Sequence, residues 1–256
     1  MTTTPPFSGL LALVAGRSAA LRTAVAGATG LDARVPGCPG WSLFDLVAHV
    51  GKVQRFWAAV VAAGPATRPP ADEAAGSAAP RDALLAWSAE GTGRLLTALR
   101  EAGPERGCWA WWGASGVPLT AGAVARHQVQ EAAVHAYDAQ AAAGRPRPLP
   151  EAVAVDGVAE FLAVSFGTAG RWPHRPARVA WYTAEGPSWS VGLTAEGAVI
   201  SGMSGPATAA PAPTAAVYGP ASDLLLTLYG RRTLDGIRVD GDRAPVEELI
   251  AWPSPA

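Results

Sequence analysis

The chain carries four histidines, His49, His127, His135 and His174. Two of them bracket a glutamate at four-residue spacing: His127, Glu131, His135. Residues four apart stack on one side of a helix, so a helix here presents all three on one stripe. Val124, Val134 and the neighbouring alanines mark that stripe as inward-facing, and it continues to Asp138. Burying such a set is costly unless something satisfies it, and a metal ion is one solution. His127 and His135 are separated by about 12 Å of helix rise, too far to converge easily on one ion, whereas Glu131 and His135 are about 6 Å apart. A third ligand must come from another helix. His49, beside Leu46, Val50 and Val53, is the best donor available. Two imidazoles and a carboxylate suit zinc first, with iron, nickel, manganese and cobalt also compatible. Three protein ligands leave a position open for water, thiolate or substrate, the arrangement of a catalytic metal. The competing arrangement is at least as legible in these residues: His49 a hydrogen-bonded core histidine and Glu131 in an internal ion pair.

The elements that must position these side chains follow from periodicity and breakers. Phe7 to Ala28 reads as a first helix. The run Pro36-Gly37-Cys38-Pro39-Gly40 interrupts any ladder and reads as a turn. Ser42, three residues before Asp45, makes a capping box that opens a second helix, whose apolar positions Leu43, Leu46, Val47, Val50, Val53, Trp57, Val60 and Val61 run to Gly64. A Pro/Ala/Gly loop spans 64–80. A third helix covers Arg81 to Ala102 despite Gly91 and Gly93. Thr120 caps a fourth helix that Gly144-Arg145-Pro146 stops, and Glu151 to Thr168 is a fifth. The pattern then changes. Arg178–Thr183 and Ser188–Leu193 read as strands, with shorter ones at Val199-Ile200, Ala215–Tyr218 and Ile237–Val239. Helices are expected at Ala221–Tyr229 and Val246–Trp252. The expected division is residues 1–172 for the helical part and 173–256 for a mixed α/β part, an α+β chain. The Ala/Pro stretch Ala207–Pro213 is local low complexity with no assigned role.

Composition narrows the function classes. The 256 residues are 49% hydrophobic and 16% charged, enough to fold around a sizeable core. The formal net charge is -1 and no Lys/Arg run occurs, which argues against a nucleic-acid partner. The two cysteines, Cys38 and Cys108, form neither a CxxC pair nor a disulfide framework, so a reducing, cytoplasmic setting is the simplest expectation. No basic residue precedes the apolar run Leu10 to Ala15, so a secretory signal is not expected. Nor is a bilayer-spanning stretch, and so no membrane partner.

Several side chains carry two readings. Cys38 precedes a helix N-terminus, where a thiolate is favoured, yet its Gly/Pro neighbours speak for a structural role, as for Cys108. Trp109, Trp111 and Trp112 either line the mouth of a site or plug one end of the helices. Asp45, one turn before His49, either orients that ring or caps its helix. Asp138, one turn past His135, either supports that ring or pairs with an arginine such as Arg126 or Arg231. His127 either contacts substrate or is a buried, hydrogen-bonded histidine. His174, between Pro173 and Arg175, is expected to be solvated.

Three segments together resemble a known family. Pro36-Gly37-Cys38-Pro39-Gly40-Trp41-Ser42 with Asp45-Leu46-Val47-Ala48-His49 is similar to the N-terminal signature of the mycothiol-dependent maleylpyruvate isomerase family, within the wider DinB-like metal-dependent group. Arg126 with Glu131-Ala132-Ala133-Val134-His135-Ala136-Tyr137-Asp138-Ala139 resembles its second signature, and Gly219–Leu226 with Tyr229-Gly230-Arg231-Arg232 its C-terminal domain. The resemblance implies an up-down helical bundle followed by a small α/β domain similar to sterol carrier proteins. It implies His49, Glu131 and His135 as metal ligands and Arg231, or else Arg232, as a catalytic arginine for a substrate carboxylate. It implies a divalent metal, zinc first, and mycothiol as cofactors, with a small-molecule substrate. The thiolate would add to a conjugated cis double bond, allow rotation and leave, or stay attached in S-transfer. Gln130 stands where the family often has histidine and His127 where it often has arginine, departures that bear on the substrate. The alternatives are a thiol-independent metal hydrolase of the same fold and a non-enzymatic small-molecule-binding protein.

Overall fold

The structure, a computed structural model, describes residues 4–71, 80–203 and 212–252. It divides into two compact units, one built from Thr4–Trp111 with Pro118–Leu149, the other from Trp112–Val117 with the residues from Pro150 onward.

The first unit is four helices: α1 (Phe7–Ala26), α2 (Leu43–Ala63), α3 (Arg81–Ala102) and α4 (Ala121–Ala142). Helix α1 packs on α4 and α3, and α2 on α3 and α4. The expected capping box opens α2. Ser42 Oγ accepts the Asp45 N–H at 3.3 Å, and Asp45 Oδ2 accepts the Ser42 N–H at 2.9 Å. Ser42→Ala is expected to cost about 1 kcal/mol, read as a lower midpoint in urea denaturation. Thr120 caps α4 in the same manner, accepting the Ala123 N–H.

Helix α3 runs through Gly91 and Gly93 because close packing needs the first of them. A Cβ at Gly91 would lie 3.1 Å from the Gly51 carbonyl, and one at Gly51 only 2.1 Å from Trp87 Cζ3. The Arg55 guanidinium closes this contact, lying 3.9 Å over the Trp87 ring and donating to the Trp87 carbonyl at 2.8 Å. Gly51→Ala is therefore expected to destabilise by about 1–3 kcal/mol, overpacking outweighing the better helix propensity of alanine; thermal denaturation measures it. A buried polar chain ties three helices together. Gln54 Nε2 donates to Ser18 Oγ at 2.8 Å, Thr92 Oγ1 donates to Gln54 Oε1 at 2.7 Å, and Arg22 Nη1 donates to Thr92 Oγ1 at 3.0 Å.

One expectation needs correction. By length and composition α1 reaches the membrane-span range, with a mean hydropathy of 1.3 over its apolar window. The reason is its alanine content, which raises hydropathy on the outer face. Burial follows a single stripe, Leu10, Leu11, Val14, Ser18, Leu21 and Val25, as in an ordinary bundle helix.

The second unit holds α5 (Glu151–Phe161), which continues as a π-helical turn (Leu162–Phe166) rather than as plain α-helix, and packs on α6 (Ala221–Leu228). Its sheet has the order β3-β2-β1-β4-β5, with β1 (Ala177–Thr183), β2 (Ser188–Thr194), β3 (Gly197–Met203), β4 (Ala215–Gly219) and β5 (Arg238–Gly241). Among the described residues, only the β1/β4 pair is parallel. Val179, Trp181, Val191, Leu193 and Val217 alternate onto one buried face, with Trp181 opposite Trp189. Strand β3 is longer than expected because ladder pairing to β2 recruits residues with no strand pattern of their own. The last helix, α7 (Ala244–Ala251), starts earlier than expected, with Pro245 in its first turn where a missing N–H costs nothing. The Ala207–Pro213 stretch lies, up to residue 211, outside the described residues. The chain is α+β, as expected.

Candidate metal centre

Helices α2 and α4 bring His49, Glu131 and His135 together, although 82 residues separate the first two. His49 Nε2 lies 3.0 Å from Glu131 Oε1, and His135 Nε2 lies 3.3 Å from the same oxygen. The three donor groups fall within 4.8 Å of one another. Neighbouring ligands on a tetrahedral zinc with bonds of 2.0–2.1 Å stand about 3.3 Å apart, so both the chemistry and the spacing of the set fit a divalent ion. The helical registers explain the meeting. Leu46, Val47 and Val50 are fully buried and carry His49 on their margin, while Ala132, Ala133 and Ala136 let α4 approach closely.

The charges respond to this proximity. Burial disfavours the Glu131 carboxylate. Against it, the charge of His135 and hydrogen bonds from His135 and His49 hold its pKa well below the usual carboxylate range. Burial likewise disfavours a charged His135, but the Glu131 charge and bonds to Asp138, Cys38 and Glu131 hold its pKa well above the ordinary imidazole value. The stripe is thus internally satisfied as hydrogen bonds and also preformed as a ligand set.

The remaining candidates are distributed as follows. Asp138 is fully buried, with Oδ2 at 2.9 Å from His135 Nδ1. Asp45 is engaged in the α2 cap, where bonds from the Ser42 hydroxyl and amide hold its carboxyl below the ordinary value. His127 is not among the donor groups that meet; its ring lies edge-on to Trp57 at 6.2 Å and to Trp111 at 5.7 Å. Trp109 packs between Phe56 and Trp57, while Trp111 is half exposed. Arg126 is partly buried on α4, and Gln130 is fully buried there. Arg231 belongs to the second unit, where its Nη1 donates to the Tyr229 carbonyl at 2.7 Å. Arg232 is paired with Asp223. His174 is exposed, as expected, and lies 3.4 Å from Glu248 and against the Trp172 ring. Cys108 is buried, which pushes its thiol pKa up.

Two residues that sequence reasoning left outside the centre lie against it. Trp41 packs on both imidazoles, and Cys38 reaches Asp138. The signal for them was their place in the turn immediately before the α2 cap, within the N-terminal signature segment.

Residues 11–140 match the family model described as the mycothiol maleylpyruvate isomerase N-terminal domain, and residues 152–248 match that of the MDMPI C-terminal domain. Among solved structures, the fold is similar to the mycothiol-dependent maleylpyruvate isomerase, with a TM-score of 0.65 and 17% identity over 92% of this chain and 93% of that one. A His-to-Ala mutant of that enzyme gives 0.64 and 15% identity over the same shares. No curated protein matches the chain.

Proposed function

The chain belongs to the mycothiol maleylpyruvate isomerase family, and from that membership we propose that it is a metal-dependent enzyme that uses mycothiol to act on an electrophilic small molecule. The single observation that carries the metal part is the convergence of His49 Nε2, Glu131 Oε1 and His135 Nε2. These three residues would hold the ion, zinc first. Metal and mycothiol, when bound, would supply a thiolate at neutral pH, because a cation lowers the pKa of a coordinated thiol. Cis–trans isomerisation and S-transfer are the two outcomes open to such a nucleophile.

The chain's own residues set the rest. Glu131 contributes the anion that balances the cation's charge, and its two imidazole neighbours keep it ionised. His49, with its side chain 35% exposed, is the more accessible ligand, and His135, at 9%, the anchored one. In this reading Arg231 pairs with a substrate carboxylate, a task that suits a planar guanidinium. His127 on α4, Trp57 on α2 and Trp111 in the connection before α4 are the side chains to vary when substrate selectivity is mapped.

The test combines metal analysis of protein purified without chelator, calorimetric titration with mycothiol, and turnover of maleylpyruvate. Wild-type protein is expected to carry one ion per chain and to bind mycothiol, and His49→Ala to lose both. Turnover that needs no thiol would favour the hydrolase chemistry instead, and full activity in metal-free His49→Ala protein would sink the proposal.

A further inference from the structure

His135 is held from behind by two parts of the chain that are remote in sequence. Its Nε2 faces Glu131. Its Nδ1 stands 2.9 Å from Asp138 Oδ2, and the same oxygen accepts the Cys38 thiol at 3.5 Å across 100 residues of sequence. Asp138 is fully buried and Cys38 nearly so. Cys38 belongs to the turn between Val35 and Trp41, which closes on itself. The Val35 N–H donates to the Trp41 carbonyl at 3.0 Å, the Cys38 N–H to Val35 at 3.1 Å and the Trp41 N–H to Cys38 at 3.0 Å. Arg34 Nη1 donates to the Gly40 carbonyl at 3.0 Å, and Gly40 takes the positive φ of 86° that the reversal requires. At the end of this turn, the Trp41 ring lies 4.7 Å from that of His49 and 6.1 Å from that of His135, within 23° of parallel to the latter.

We propose that the Val35–Trp41 turn is the positioning element of the metal centre, with Asp138 and Cys38 locking His135 so that Nδ1 carries the hydrogen and Nε2 faces Glu131, and with Trp41 holding both imidazole planes. The proposal rests on the reading of His49, Glu131 and His135 as the ligand set. Its chemistry is direct. With Asp138 Oδ2 as the acceptor, the hydrogen sits on the ring nitrogen beside it, and a neutral ring then presents its lone pair at Nε2. A carboxylate behind a ligating imidazole fixes its orientation and raises its basicity. The Cys38 S–H gives the buried Oδ2 a second donor and so pins the carboxylate itself. A thiol is a weak donor, so Asp138 should matter more than Cys38. The Trp41 face offers no competing acceptor in the imidazole planes and blocks ring rotation by contact. Asp138, Cys38 and Trp41 are therefore positioning residues, acting through the ligands.

The test reads the His135 Nδ1–H by NMR in the metal-free protein and cobalt affinity in the same variants, with circular dichroism to verify folding. In wild-type protein the Nδ1–H is expected to be protected from exchange. Asp138→Asn is expected to lose that protection and to weaken cobalt binding by about 10- to 100-fold. Cys38→Ser, which keeps an O–H donor, should stay close to wild type, whereas Cys38→Ala should exchange faster. Trp41→Leu should broaden the d–d spectrum of the cobalt protein. Unchanged exchange and affinity in Asp138→Asn would overturn the proposal, as would Cys38→Ser and Cys38→Ala both matching wild type. The ligand reading fails separately: if wild-type protein binds no cobalt, a protected Nδ1–H that Asp138→Asn abolishes still upholds the positioning of His135.

Discussion

Replacing His135 by alanine is expected to remove the metal and the turnover together while leaving the helical circular-dichroism spectrum unchanged. The side chain is 9% exposed and stands between two carboxylates, with Nε2 towards Glu131 and Nδ1 towards Asp138. Its removal deletes one of the three donors and also frees Glu131 from the nearest positive charge, so that burial pushes the Glu131 pKa up and weakens a second donor. Partners behind a ligand typically carry about 10- to 100-fold in metal affinity or activity, so the loss of a ligand itself should exceed about 100-fold. Elemental analysis and turnover with mycothiol measure the two effects on one preparation. His127→Ala is the matched control. It lies two turns earlier on α4 among Trp57 and Trp111, and is expected to keep wild-type metal content. A His135→Ala protein with full metal content would show that Glu131 and the imidazoles form only an internal hydrogen-bonded cluster.

Leu46→Ala is expected to have the largest effect on stability without touching the donor set. Leu46 is fully buried one turn before His49, in a cluster with Leu21, Leu43, Val47, Val50 and Ala136 that also includes Cys38. Truncation removes the transfer energy of the buried methyl groups and leaves a cavity that the surrounding helices close only in part, a cost of about 2–5 kcal/mol. For a chain of this size that lowers the melting temperature by roughly 4–20 °C. Metal stoichiometry at 25 °C should stay at one ion per chain, because no ligand or partner of a ligand changes chemistry. Val199→Ala, at a side chain 68% exposed on β3, should fall within about 0.5 kcal/mol of wild type. If Leu46→Ala melts like Val199→Ala, the packing of α2 beneath His49 is not what the described core implies.

What could be read in the sequence was local. The three- and four-residue spacing of α2, the Ser42/Asp45 cap and the stop at Gly144 depend on residues a few positions apart, and so did the exclusion of His127 from a site shared with His135, a matter of helix rise. The choice of His49 needed one further step, that an imidazole on the buried margin of another helix is the nearest donor. Length and hydropathy alone would let α1 pass for a membrane span, because hydropathy counts alanines on an outer face and cannot see which face is covered. The π-helical turn after α5 and the full length of β3 depend on what each packs or pairs with, and so left no pattern of their own. The support behind the centre was decided only by tertiary structure. Asp138 is one turn from His135 and had two plausible partners; the approach of a turn 100 residues earlier in the chain brings the Cys38 thiol to its carboxylate and the Trp41 ring to both imidazoles. Periodicity and capping are short-range properties of the chain, whereas the facing of that turn onto α4 is set by how α1, α2 and α4 close around a common core.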